Sequence, residues 1–354
     1  MRSSSLVGRA STEGQPIAAG SLSPSQSLVA LACRDHVEIF SLNGQSGDIS
    51  KHESINLTRE HDNFTVTDVS WSPYEEDLVA GSATNGQIAV LRVSQQFADE
   101  GARKSHISLK WEACEDSKRT VNRVSWHPNN RSIVLTASHN SNARLWDIRS
   151  KSVQPCIATY RPRTEACRDV QMCPTNDNLL AAVFESGNLV LWDQRKPDAA
   201  LNQITAHAGV GLALQWCPLV TGVLATGGRD KTVKIWDINA IDFEGDAGAQ
   251  GNRPAVLLRP KHTLYTPSSV GRIQWRPVAN KLQLAVTSTD KADVSIWNAS
   301  SGHIPACIVS GHTEACTGAL WLDTRIPVDV RDLQAPGASK KNLKGGKKEK
   351  ELVA

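Results

Sequence analysis

The chain has 354 residues, 40% of them hydrophobic, and a formal charge of +3, so it can bury a sizeable core but shows no charge excess that would mark a nucleic-acid groove. Its eight cysteines, Cys33, Cys114, Cys156, Cys167, Cys173, Cys217, Cys307 and Cys316, include no CxxC pair and join no histidine cluster at zinc spacing; they read as reduced, mostly buried small residues. No apolar run is long enough to span a bilayer and the first residues hold no signal-peptide core, so the expected setting is cytoplasmic or nuclear, with membrane contact only through partners.

Residues 1–16 are serine-rich and unpatterned and read as a flexible arm. From Ile17 a repeat begins with Leu22-Ser23-Pro24, followed by alternating strands at Leu28 to Ala32 and His36 to Phe40, with Phe40-Ser41 where later repeats have Trp-Asp. The second repeat has His61, then Trp71-Ser72-Pro73, then a strand run from Leu78 to Val93 broken by Asn85-Gly86, a strong hairpin signal. The polar connection from Ser94 to Ser117 is expected to hold one outer strand, at Ile107 to Trp111.

The third repeat reads Trp126-His127-Pro128, a strand from Ile133, and a close at Trp146-Asp147; the fourth reads Met172-Cys173-Pro174, Leu179 to Phe184, and Trp192-Asp193. The fifth, LATGGRDKTVKIWD from Leu224 to Asp237, is the clearest: period-two alternation from Thr232 to Trp236, a strand ending at Thr226, and turn chemistry assigned to Gly227, Gly228, Arg229 and Asp230. A break from Asn239 to about Arg259 reads as a surface loop between repeats. The sixth runs from Val270 through Trp275-Arg276-Pro277 and Leu282 to Trp297-Asn298; a seventh starts at Gly311-His312 and loses its pattern after Trp321-Leu322-Asp323.

Trp-Asp pairs about 45 residues apart are the period of a propeller blade. The expected fold is all-β, a WD-repeat β-propeller over residues 17–323, with six recognisable blades plus a partial seventh and a lysine-rich tail over 324–354. In the fifth repeat His207, Thr226, Asp230 and Trp236 are spaced to form a buried hydrogen-bond chain, because a buried indole N–H needs an acceptor that a hydroxyl, an imidazole and a carboxylate can relay. Asn140 and Ser186 replace the turn Asp in the third and fourth repeats, and Arg119 and Arg163 fall near their Gly-His positions; those blades are expected to have shorter polar chains and more apolar packing.

The stretches SATNGQIAV, KRTVNRVSWHP, FESGNLVLWDQRKPD, TAHAGVGLALQWCP and VGRIQWRP resemble the N-terminal propeller of the WD repeat-containing protein 24 family, over roughly residues 25 to 322. The resemblance implies a subunit of the GATOR-type (yeast SEA) complex, which regulates TOR kinase signalling in response to amino acids. Family members continue into a helical region and a RING-type zinc module; neither motif is in this sequence, so no ubiquitin-ligase activity carries over.

No H-E-x-x-H, G-x-S-x-G or phosphate-cradling glycine loop is present, so neither an enzyme nor a cofactor is expected, and the reading is a scaffold for protein partners with no small-molecule substrate. The competing reading is a propeller that recognises a modified peptide or nucleic acid through Arg144, Arg149, Arg161, Arg163, Arg168 and Arg195. The seventh repeat lacks its last strands, and the expectation is an open edge that recruits a strand, from residues before Ile17, from Ile326 to Val330, or from a partner.

Overall fold

The protein, seen in a computed structural model, is described over residues 16–42, 49–56, 65–97, 103–151, 155–161, 165–239, 258–278, 282–300 and 302–322. These residues form 24 strands in six four-stranded antiparallel sheets, each sheet running through four consecutive strands in chain order. Blade 1 holds β1 (Ala19–Leu22), β2 (Leu28–Ala32), β3 (His36–Leu42) and β4 (Ile49–Asn56), and blade 2 holds β5 (Val66–Trp71), β6 (Leu78–Ala83), β7 (Gln87–Phe97) and β8 (Arg103–Cys114). Blade 3 holds β9 (Val121–Trp126), β10 (Ile133–Ser138), β11 (Ala143–Asp147) and β12 (Cys156–Tyr160); blade 4 holds β13 (Cys167–Cys173), β14 (Asn176–Phe184), β15 (Asn188–Asp193) and β16 (Ala200–Thr205). Blade 5 holds β17 (Gly211–Trp216), β18 (Val223–Gly228), β19 (Thr232–Asp237) and β20 (His262–Tyr265); blade 6 holds β21 (Val270–Trp275), β22 (Gln283–Ser288), β23 (Val294–Asn298) and β24 (Cys307–Val309).

The first strand of each blade packs beside the first strand of the next, so β1, β5, β9, β13, β17 and β21 form the inner ring of a propeller. Second strands are covered on both faces by neighbouring blades, which is why β6, β10 and β18 are buried at every position and read as continuous apolar or small-residue runs. The core is accordingly a set of layers between blades. One layer joins Val69 and Trp71 to Ala30 and Ile39; another joins Leu180 and Trp192 to Leu135 and Leu145; a third joins Val233 and Ile235 to Val270 and Trp275.

The tryptophans that mark the repeats close their inner strands rather than open them: Trp71, Trp126, Trp216 and Trp275 are the last residues of β5, β9, β17 and β21. Each of three indoles reaches back one blade, with Trp126 Nε1 donating to Ser70 O at 2.9 Å, Trp216 Nε1 to Gln171 O at 3.3 Å and Trp275 Nε1 to Gln215 O at 3.1 Å. Side chains complete the seam. The backbone N–H of Trp216 donates to Gln171 Oε1, that of Trp275 to Gln215 Oε1 and that of Trp71 to Ser21 Oγ. Inner strands of separate sheets have no backbone ladder between them, so these side chains take its place.

Trp321 follows the same rule, its Nε1 donating to Gln274 O at 3.0 Å. With Cys316 and Ala319 it packs on Ala285, Val294 and Ile296 of blade 6, while Leu320 lies beside Gly20 of blade 1. The segment 316–321 therefore fills the gap between β21 and β1 at a seventh inner position, and among the described residues no further strand pairs with it. The arm over residues 1–15, His61, and everything from Asp323 onward, including Ile326 to Val330 and the lysine-rich tail, lie outside the described residues.

Three local expectations are corrected. β18 continues through Gly227 and Gly228, neither of which has positive φ; the left-handed residue of the turn is Lys231, at φ 61°. A Cβ on Gly227 would stand 2.4 Å from Val270 Cγ1 of the next blade, and one on Gly228 would stand 2.5 Å from the His207 ring, so both glycines serve close packing. The break after Ile238 lies within blade 5 and not between blades, because it joins β19 to β20 of one sheet; residues 240–257 are outside the described set. The strand placed at Ile107 to Trp111 is longer, spanning Arg103–Cys114 as β8.

Candidate functional site: buried polar chains and the loop face they serve

In blade 5 the strand register sets Thr226 across from Lys234 on β19, two pairs from Leu224 and Trp236, and the loop after β16 drops His207 onto the same end of the sheet. Trp236 Nε1 donates to Thr226 Oγ1 at 2.9 Å, Thr226 Oγ1 lies 2.9 Å from His207 Nε2, and His207 Nδ1 lies 3.0 Å from Asp230 Oδ1. Asp230 also accepts from the Thr232 hydroxyl at 2.8 Å and from the Ala208 N–H at 3.0 Å, tying the turn to the loop.

Burial pushes the His207 imidazole below its usual range in spite of Asp230, so it is neutral at pH 7. Burial would raise the Asp230 carboxyl, but His207, the Thr232 hydroxyl and the Ala208 N–H outweigh it and hold it below the ordinary value. A neutral ring that donates from Nδ1 to a carboxylate must accept at Nε2, so the chain has one consistent direction, indole to hydroxyl to imidazole to carboxylate. Every hydrogen is used within the chain. The hydroxyl within reach of the imidazole, Thr226 Oγ1, is fully buried and already accepts the Trp236 indole N–H, so the chain holds strands together.

The other blades solve the same problem differently. In blade 3 Trp146 Nε1 donates to Thr136 Oγ1 at 2.8 Å, and the place of the imidazole is taken by an ion pair: Arg144, at the register position of Lys234, lies 3.2 Å from both Glu115 and Asp116 and stacks 5.7 Å from the Trp146 ring centre. The expectation of a shorter, more apolar chain there is therefore replaced by a charged one. Burial raises the Glu115 carboxyl to about 7 against the pull of Arg144. Lys234 itself donates to Ala206 O in blade 5.

Blade 4 has Ala182 at the hydroxyl position and packs Trp192 against Phe184 and Tyr160, with ring centres 6.0 and 5.9 Å away. In blade 6 the acceptor moves to the next strand, Trp297 Nε1 donating to Ser295 Oγ at 2.8 Å. The second residues of the pairs lie at the opposite end of the sheets and do other work. Asp147 accepts from Arg149 N at 2.9 Å and its guanidinium at 2.7 Å, Asp193 does the same with Arg195, and Asp237 accepts from Asn239 N at 3.2 Å. The guanidinium contacts hold both the Asp147 and Asp193 carboxyls below their usual range.

The arginines do not make one face. Arg149 and Arg195 sit at the end of the sheets where β11 and β15 finish, each on its own aspartate; Arg144 and Arg168 sit at the other end, on Glu115 and Glu185. Arg161 follows β12 at that same end, and Arg163 is outside the described residues.

Two clusters were not foreseen. Three residues before the inner-strand aromatic or methionine stand Asp68, Arg123, Asp169 and Arg272, and they form one network: Arg272 Nη2 to Asp68 Oδ1 at 2.8 Å, and Arg123 3.6 Å from both Asp68 and Asp169. Burial raises Asp169 to about 6 and lowers Arg272. The signal was legible as charges recurring at one fixed place in an otherwise apolar strand. In blade 1, Cys33, His36 and Glu38 bring ligand-type atoms within 4.8 Å of one another, but Lys51 Nζ sits 2.6 Å from Glu38, both His36 nitrogens face carboxylates, and burial lifts the Cys33 thiol to about 12. A lysine already fills the cation's place in that cluster.

The WD domain, G-beta repeat family pattern matches residues 110–147 and 200–237, each covering the outer strand of one blade and three strands of the next. The chain is 31% identical over 259 residues to the GATOR2 complex protein WDR24 of Danio rerio and 30% identical over 259 residues to that of Homo sapiens, covering 73% of this chain in both. This propeller belongs to the WDR24 family. The chain spans 30% and 29% of the length of those two relatives. Among solved structures, a chain of the "Crystal Structure of Mitotic Checkpoint Complex" superposes with a TM-score of 0.63 at 18% identity, covering 86% of this chain and 81% of that one, a likeness of fold. Among the described residues of this WDR24-type propeller, no helix is long and apolar enough to cross a membrane.

Proposed function

We propose that this chain is a non-catalytic interaction scaffold, a subunit of a GATOR-type complex that regulates the TOR kinase in response to amino acids and is held at lysosomal or vacuolar membranes by its partners. The observation that carries the reading is its similarity to proteins named as GATOR2 complex components, at 30–31% identity over 73% of its length. The site geometry supports it. The groups with catalytic chemistry, His207 with Asp230 and His36 with Glu38, are committed to internal hydrogen bonds, while the loops at the blade ends remain free for partners. The arginine-face alternative loses its support, because those side chains divide between two ends and most hold carboxylates of their own.

Affinity purification of the tagged chain with quantitative mass spectrometry, paired with a TOR substrate phosphorylation assay after amino-acid withdrawal, tests this directly. Co-purification of GATOR-type subunits and a blunted withdrawal response on deletion are expected; an intact response together with absence of those subunits would reject the reading.

A further inference from the structure

At the end of the sheets that carries the turns between second and third strands, a cavity of about 610 Å³ opens between blades 3 and 4, lined by Arg119, His139, Asn140, Ser141, Glu165, Ala166, Glu185 and Ser186. It lies where the polar chain of blade 5 has no counterpart. In blade 5 the turn carboxylate of Asp230 is spent on His207 and Ala208; in blades 3 and 4 the same turn position holds Asn140 and Ser186, and among the described residues neither side chain is bonded to an imidazole. Among the described residues the side chains of Arg119, His139, Asn140 and Glu165 make no hydrogen bond or ion pair. Four polar groups, an arginine and a glutamate among them, thus line the cleft with no side-chain partner among the described residues.

The walls differ in sign. Arg119 and His139 come from the blade 3 side, on the loop before β9 and the turn after β10; Glu165 and Glu185 come from the blade 4 side, on the loop before β13 and the turn after β14. Arg168 Nη2 lies 2.5 Å from Glu185, which leaves Glu165 as the carboxylate of this wall without a cation partner among the described residues, and the buried Arg168 Nε without an acceptor. Ala166 is the one apolar lining residue, whereas sites for drug-like molecules are lined mainly by apolar side chains; the volume lies within the range of about 300–1,000 Å³ that holds compact ligands.

We propose that this cleft is a recognition site for a short extended peptide segment of a partner that carries both an acidic and a basic side chain, the acid seated on Arg119 and the base on Glu165. It deepens the scaffold reading by naming the ligand chemistry of one loop face. A peptide fits better than a single metabolite because the lining is polar along a cleft shared by four loops, and opposed charges fix the direction in which a chain would lie.

The test uses the purified full chain and a library of acetylated, amidated tetrapeptides built from Asp, Lys, Ser and Val, so its failure would leave the complex assignment standing. Enrichment at least tenfold for peptides with one Asp and one Lys is expected. Glu165→Lys should shift the enrichment to peptides with two Asp, and Arg119→Glu to peptides with two Lys, each variant melting within a degree or two of the parent. No enrichment, or unchanged enrichment in both variants, would overturn the proposal. Free aspartate or lysine binding as tightly as the best tetrapeptide would place an amino acid in the cleft and overturn the peptide reading.

Discussion

The tryptophan indoles buried on the third strands of blades 3, 5 and 6 need an acceptor, found in Thr136, Thr226 and Ser295, whereas blade 4 surrounds Trp192 with aromatics. The blade 5 residues were legible because all four lie within 30 residues at a recurring spacing; the ion pair in blade 3 was not, because Arg144 and Glu115 take positions that in blade 5 hold a lysine and an alanine. His207→Ala or Asp230→Ala is expected to lower stability by about 1–3 kcal/mol in urea titration, since each strands a buried partner. Asp237→Ala and Asn298→Ala should cost less than about 1 kcal/mol, because both lie at the outer end of their sheets. Glu115 makes a second test. Its carboxyl is raised from 4.5 to about 7 on folding, so the folded state keeps a proton that the unfolded chain has lost. That contribution is fully present below about pH 4.5 and is lost as pH rises through about 7. Glu115→Gln should flatten the fall in stability between about pH 5 and pH 7.5 relative to wild type, measured by denaturant midpoints at each pH. His207 works in the opposite sense, its depressed pKa withdrawing stability as pH drops below 6.5, and it is common to both proteins.

At the scale of the strand and turn, period two and the recurring Trp-Asp located nearly every blade, and most strand bounds fell within a few residues of the expected ones. The glycine reading failed for a physical reason. Gly227-Gly228 followed by Arg-Asp looks like turn chemistry to anyone reading neighbours along the chain, but the reason for the glycines is Val270, on the inner strand of the next blade. Packing across blades joins residues that are dozens of positions apart, and local pattern carries no record of it. Gly227→Ala puts a methyl 2.4 Å from Val270 Cγ1 and 2.9 Å from Ile273 Cδ1, with no turn strain involved. It should destabilise by about 1–3 kcal/mol through overpacking, and Val270→Ala in the same chain should recover part of that loss in thermal melts. If the glycine were there for positive φ, trimming Val270 would recover nothing.

A propeller must close on itself, and the whole molecule does so with an incomplete seventh position among its described residues. The segment 316–321 supplies one inner stretch held by the Trp321 indole and an apolar layer on blade 6. Across that gap Arg272 reaches from blade 6 to Asp68 of blade 2, 2.8 Å away, and to Ala18 O beside blade 1, 3.3 Å away. Asp68 in turn accepts from Val124 N of blade 3 at 3.1 Å, and Asp169 from Leu214 N of blade 5 at 3.0 Å, so the charged network, whose members stand on blades 2, 3, 4 and 6, is also tied to blades 1 and 5. Removing one member of a buried ion pair strands its partner, a loss of about 3–5 kcal/mol when both are fully buried; Arg272 is 23% exposed, so about 1–3 kcal/mol is expected for Arg272→Met. The location of the damage is the sharper readout. An Arg272 latch spanning the gap predicts that hydrogen exchange in Arg272→Met rises first in β1 and in residues 316–321, while β14 and β18, two and more blades from the gap on their shorter side, keep their protection. Asp68→Asn should produce the same pattern, and the double variant should lose less than the sum of the two because both break one contact. A uniform rise across all blades, or additive losses, would show that Arg272 contributes general stability and that the ring is closed by the Trp321 segment alone.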